Sequence, residues 1–221
     1  MILFTMKIRQ LWVFTGITFI SFSALRGESV EDYWSSGLAE ISRYELKQAR
    51  YGAFYEGDAI LLFVTEPFSP GAQVKDDSGK DPKAERILKL NAFKRFTTGI
   101  YDYSIMTSVF SSMDFSKELP THKVTSSVQD WCGQVFNQWN HRAQAGEYQI
   151  RSYFQSEGDV DASVPLFPHE DGIWNRLRMD PDSLPTGDLK MIPSSVFLRL
   201  KHKPIQPYSA VANLSEASWG K

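Results

Sequence analysis

The sequence predicts a mainly β protein: a single curved antiparallel sheet or partly closed β-barrel of about eight or nine strands, with one helix near residues 170–180. Three observations predict it. Short apolar or aromatic runs alternate with turn signals along the chain, as in a sheet laid down strand after strand. Aromatic residues are abundant, with 15 Phe, 9 Tyr and 6 Trp in 221 residues, and such side chains suit a pleated, half-buried surface. The strand-like runs follow one another with a single helical interruption, which argues against a parallel α/β sheet.

The elements follow in order. Residues 6–10 carry Lys7 and Arg9, residues 11–22 form an uncharged run, LWVFTGITFISF, and the small residues Ser21, Ser23 and Ala24 come next. This is the charged, apolar, small order of a secretory signal peptide. The run is short for a bilayer span, which needs about 20 residues. The expected division is a signal peptide over 1–23, one β-rich domain over 24–203, and a loosely ordered tail over 204–221.

Within the domain, residues 37–52 read as a long strand with Ser42, Tyr44, Leu46 and Gln48 on one face. Residues 58–68 (DAILLFVTEPF) are a strand rich in apolar and aromatic residues, and 69–85 are a loop dense in Pro, Gly and Asp. Residues 86–99 and 101–112 read as a hairpin turning near Gly99. Residues 122–131 and 132–140 continue the sheet, 141–147 form a turn, and 148–156 return. Ile173, Trp174 and Leu177 recur at helical spacing, and Pro181 and Pro185 follow. Residues 187–203 read as two short strands broken at Pro193. The tail has few large apolar residues.

Composition excludes some functions. The net charge of −2 and the scattered basic residues leave no electrostatic footprint for nucleic acid. There is no paired-glycine dinucleotide fingerprint, no phosphate loop, no HExxH pair and no GxSxG elbow. No cofactor or metal is implied. The chain has one cysteine, Cys132, in the string QDWCGQVFNQWN, so a dithiol redox couple is excluded.

Seven residues are candidates for chemistry. Cys132 would serve as a nucleophile only beside a base, and spacing places none of the four His there; its more frequent role is that of a small buried side chain. Beside it, Gly133 leaves room for an aromatic ring to lie over the backbone. Glu66, at the end of an apolar strand, has the position of a general base or of a charge emerging into solvent. Glu157, with Asp159 and Asp161 at period two, suits either a solvated turn or a hard-cation site, although calcium needs six or more oxygens. Trp131, Phe136, Trp139 and Phe154 would line an apolar cavity for a lipid or other hydrophobic ligand, or else form ordinary core.

Several strings taken together, YWSSGLAEISRYELKQARYG, FVTEPFS, TGIYDYSIMTSVF, DWCG, SYFQSEGD and LPTGDLKMIPS, resemble a family of exported proteins from Bacteroidetes-type Gram-negative bacteria whose members carry the label "septum formation inhibitor". The resemblance spans roughly residues 33–203. It implies export to the periplasm or outer envelope. Septum-formation inhibitors proper are cytoplasmic nucleotide pyrophosphatases with a Ser-x-Ser-Pro-Arg-Arg motif near the start. This chain has no such motif, so no catalytic residue carries over. The β-rich pattern also looks loosely like the curved sheets of periplasmic lipoprotein carriers. Three readings follow: a non-enzymatic envelope protein binding a lipid or hydrophobic ligand, a periplasmic hydrolase of unmarked type, and an accessory protein docking an envelope partner.

Overall fold

The computed structural model describes residues 2–8, 29–114 and 116–216. A strand, β1 (Ile2–Ile8), precedes a short helix, α1 (Val30–Ser35). The main sheet then runs β2 (Glu40–Arg50), β3 (Ala53–Ser69), β4 (Val74–Lys75), β5 (Glu85–Thr98), β6 (Tyr101–Ser112), β7 (Thr121–Asp130), β8 (Gly133–His141), β9 (Gly146–Ser152) and β10 (Val160–Val164). A 3-10 turn (Glu170–Gly172) leads into α2 (Ile173–Met179), followed by β11 (Gly187–Met191), α3 (Ser195–Lys201) and β12 (Tyr208–Glu216). Of the expected signal peptide over 1–23, residues 2–8, with Lys7, form β1 and pair with β12, while its apolar run and small residues lie in 9–28, outside the described residues.

The nine-stranded sheet is antiparallel and does not close. Eight strands lie in chain order from β2 to β10, and β4 pairs only with the end of β3. Alternation decides the faces. In β2 the half-buried side is Ser42, Tyr44, Leu46 and Gln48, as the sequence predicts. Gly57 permits close approach of β3 and β5: a Cβ there would stand 2.0 Å from the Arg95 carbonyl oxygen.

A second, three-stranded sheet has the order β1-β12-β11, and the sequence did not suggest it. Helices α2 and α3 lie between the two sheets. Trp174 and Met179 of α2 join the core of Phe63, Leu88, Leu90, Val109, Val124 and Trp139 on the main sheet. Ile173 and Leu177 face the small sheet at Met191, Ala210 and Ala212. Val196 and Leu200 of α3 meet Phe96, Tyr103, Ile105 and Val128, while Phe197 turns to the small sheet.

Two expectations are corrected here. Residues 195–201 are helix, not strand. The first amides of α3 find remote acceptors: Ser194 N–H donates to Glu170 Oε2 (2.8 Å) and Ser195 N–H to Asp171 Oδ2 (2.9 Å). Carboxylates near a helix N-terminus satisfy its free donors and its dipole. Residues 208–216 are not a loose tail. β12 is the middle strand of the small sheet, and its alanines fit tightly, with Ala212 fully buried. The helix expected near 170–180 is present as α2.

Polar fastenings hold the helical layer down. Asn175, with no exposure, donates from Nδ2 to the carbonyls of Leu88 (3.0 Å) and Val109 (3.3 Å) and to Ser111 Oγ (3.0 Å). Lys94 extends from the inner face of β5 into the same layer. Burial lowers its pKa, against the opposing pull of Asp171 and Glu170. Burial pushes the Glu170 carboxyl up to about 7, helped by the Asp171 charge and opposed by the Ser194 amide and Lys94.

Replacing Asn175 by Ala removes this tie and leaves two carbonyls short of a donor. The expected loss is about 2 kcal/mol, read as a lower urea midpoint with an unchanged slope. Glu170 gives a pH signature. Its folded pKa lies above its unfolded value, so the folded state holds the extra proton and Glu170 costs stability as pH rises from about 4.5 to about 7. Glu170→Gln should therefore gain on the wild type by about 2 kcal/mol between pH 5 and 7.5, allowing for the side chain's residual solvent contact. Urea titrations of both proteins at the two pH values check it.

Candidate functional site: the aromatic edge of the sheet

Because the strands run up and down in order, every second turn falls at the same end of the sheet. Four turns share that end: Tyr51–Gly52, Gly99–Ile100, Trp131–Cys132 and residues 153–159. Each carries exposed aromatic or apolar residues. Tyr51, Phe54, Ile100, Tyr101, Trp131 and Tyr153 are between 39% and 76% exposed. At about 4.8 Å per strand, a rank from β2 to β10 spans roughly 34 Å.

The turns are built to present these side chains. Tyr51 (φ 51°) and Gly52 (φ 78°) both have positive φ, the requirement of a type I′ hairpin whose twist matches the strands. A tyrosine there is strained, and contacts hold it: its hydroxyl lies 2.9 Å from that of Tyr103, and the Arg50 guanidinium sits 4.3 Å from its ring centre. Burial, then the Tyr51 hydroxyl, pushes the Tyr103 pKa up to about 12. Gly99 (φ 63°) takes the positive-φ position of the next hairpin and projects Ile100. In the third turn, the Asp130 carboxylate accepts from the amides of Cys132 (2.8 Å) and Gly133 (3.1 Å). Trp131 then stands edge-on to Tyr101, with centroids 6.0 Å apart. Gly133 (φ 153°) lies under the Tyr153 ring, and a Cβ would meet that ring at 2.8 Å. This is the ring-over-backbone contact that the sequence suggested.

Helix α3 braces this edge from within. The Arg199 side chain, 2% exposed, lies 3.6 Å from Asp130 and 3.4 Å from Glu157. Its guanidinium stacks on Phe154 at 4.2 Å. His202, the left-handed cap of α3, meets Glu157 at 2.6 Å, and Ser152 Oγ donates to the same carboxylate. Arg50 Nη1 donates to the Leu200 carbonyl (2.5 Å). The end of α3 therefore grips three of the four turns.

The sequence candidates divide over this frame. Trp131 lies on the exposed rank, and Phe154 and Glu157 lie in its bracing. Cys132 occupies the turn itself and is exposed, which corrects the expectation of a buried strand residue; it falls between two paired strands, where a two-residue loop is required. Trp139 is core, 2% exposed, and Phe136 is exposed on the opposite face of the same strand, so the four aromatics do not line one cavity. Glu66 forms a half-buried ion pair with Lys89 (2.6 Å), and Asp161 pairs outward with Arg151. Glu157, Asp159 and Asp161 therefore do not converge. Among the described residues no three His, Cys, Asp or Glu are placed to hold a metal ion. Sequence reading missed Tyr51, Phe54, Ile100, Tyr101 and Tyr153. The signal for three of them was their adjacency to turn residues.

No family profile, curated protein or solved structure matches the chain.

An exposed thiol in the turn has a direct consequence. Cys132 should react with a maleimide in native buffer to one equivalent, at a rate within a few-fold of the urea-unfolded chain. Protection by tenfold or more would contradict the turn geometry.

Proposed function

We propose that the protein is a non-enzymatic, exported envelope protein that docks on lipid through the aromatic edge of its main sheet. The observation carrying this reading is the rank of exposed aromatics at one end of one rigid sheet. Tyr and Trp favour the membrane–water interface, where a ring meets apolar chains and a polar tip meets headgroups. Lys47, Arg50, Arg95, Lys201 and Lys203 lie near this end, with Glu56, Asp102 and Asp159 as exposed acids and Asp130 and Glu157 paired with Arg199. This mixed charge makes the attraction chiefly apolar, so moderate salt should change it little. Among the described residues no helix is long and apolar enough to cross a membrane. The charged, apolar, small order of the first 24 residues supports export. A filled interior favours a lipid surface over an enclosed lipid: the layer between the sheets is occupied by α2 and α3.

The test uses the native thiol. A polarity-sensitive fluorophore on Cys132 should shift to the blue and brighten with vesicles of zwitterionic phospholipid. Trp131→Ala combined with Tyr153→Ala should weaken vesicle co-sedimentation of the unlabelled protein about tenfold, since about 1.4 kcal/mol of lost apolar burial gives that factor. Equal co-sedimentation of wild type and double variant would overturn the reading. Absence of binding by the wild type, with a protein retained on the same edge, would transfer that edge to a protein partner.

A further inference from the structure

The main sheet is open, and the strands at its two margins are β10 and β2. A marginal strand presents unpaired N–H and C=O groups, and it templates another strand unless it is short, broken by proline, bulged or covered. β10 is defended: it has five residues and ends at Pro165. β2 has eleven residues, no proline and an unbroken register with β3. No described strand pairs with its outer side.

The hairpin decides which groups face outward. Its two-residue loop, Tyr51–Gly52, is closed by Arg50 and Ala53. That closing pair exchanges hydrogen bonds, and every second pair along the ladder does the same. Gln48, Leu46, Tyr44 and Ser42 therefore spend their N–H and C=O groups on β3. Those of Ile41, Arg43, Glu45, Lys47 and Ala49 point away from it. The Ala49 carbonyl takes a hydrogen bond from the side-chain amide of Gln48 (3.1 Å). The main-chain groups of the other four have no hydrogen-bond partner among the described residues.

The side chains choose the partner. Ile41, Arg43, Glu45, Lys47 and Ala49 are all exposed. Arg43 is paired with Asp58 (2.6 Å). Glu45 stands opposite that same acid in the register, and neither Glu45 nor Lys47 has an ion pair among the described residues. Charges on a marginal strand deter pairing where like would meet like. In an antiparallel pairing of β2 with a second β2, the outward groups bond to each other, and the two-fold axis can fall at few positions. At Glu45 it would set that acid against itself and Arg43 against Lys47. At Tyr44 it would set Arg43 against Glu45, in competition with Asp58. At Leu46 it sets Glu45 against Lys47 twice, leaves the Arg43–Asp58 pair intact, and brings two half-buried Leu46 side chains together on the inner face. We infer that the protein forms a two-fold dimer through β2, with residues 42–50 of each copy paired about Leu46. The two main sheets then join into one, with the helical layers on the same side and the aromatic ends of the two copies pointing in opposite directions. The paired strand runs along the side of the sheet, so the inference does not rest on lipid docking.

Sedimentation equilibrium of the purified chain from about 5 to about 200 µM should show a reversible monomer–dimer equilibrium. Glu45→Lys and Lys47→Glu each oppose like charges twice and should each weaken dimerisation about tenfold or more. An equimolar mixture of the two variants opposes unlike charges again. It should dimerise within a few-fold of wild type, which a misfolded variant would not do. In a Cys132→Ser background, Leu46→Cys should form an intermolecular disulfide, because facing Cα atoms of a non-hydrogen-bonded pair lie about 4.5 Å apart, within disulfide reach. A wild type that stays monomeric at about 200 µM, or a dimer that both charge reversals leave unchanged, would overturn the inference. A dimer weakened by Glu45→Lys and not by Lys47→Glu would overturn the pairing about Leu46.

Discussion

An open antiparallel sheet has two faces, and here one of them is apolar from Phe63 across Leu90, Val109 and Val124 to Trp139. A barrel would cover that face by closing on itself. This sheet stops at β10, so the remaining chain has to cover it. The segment from 165 onward does so as a layer of two short helices backed by a small sheet. Helices of seven residues are too short to be stable alone. They exist because both sides of each are buried, and the covering layer and the sheet therefore need each other.

That mutual dependence explains the polar groups between the layers. Apolar contact presses α2 and α3 onto the sheet without fixing their register. Asn175 fixes α2 by bonding carbonyls of adjacent strands, and Glu170 and Asp171 fix the start of α3. Arg199 fixes its other end against Asp130 and Glu157. A buried ion group of this kind is weak as a source of net stability, because desolvation offsets the attraction. Its consequence is geometric: the turns holding Trp131 and Tyr153 are positioned by charges that tolerate no slack.

The sheet was legible in the sequence because alternation with period two needs only neighbouring residues to be read. Ser42, Tyr44, Leu46 and Gln48 mark their face within β2 whatever they touch. The covering layer was less legible because its determinants are remote. VFLRLK alternates like a strand, and it becomes α3 through carboxylates 24 residues earlier in the chain. β12 escaped notice because its buried residues are alanines, whose small size is the requirement beneath α2 and resembles the composition of a loose tail. Cys132 was misplaced by a single boundary. Read inside a strand it belongs to a face; read in a two-residue turn it belongs to solvent. The aromatic edge was visible in pieces, since Tyr51, Ile100 and Trp131 each adjoin a turn. Only the up-and-down order of strands brings those turns to one end.

The same order separates the two ends of the molecule chemically. Turns at one end carry large rings on hairpins held by Arg50, Asp130 and Arg199, so presenting them to a surface requires little further ordering, and ordering is a main cost of binding. At the other end two of the connections, between β3 and β5 and between β6 and β7, are longer and contain proline. A flat apolar target suits the first end. Because α3 packs against the strands that carry the aromatic turns while Glu170 and Asp171, at the turn before α2, hold its first amides, the two helices are tied into one covering layer and the aromatic edge inherits its position from both.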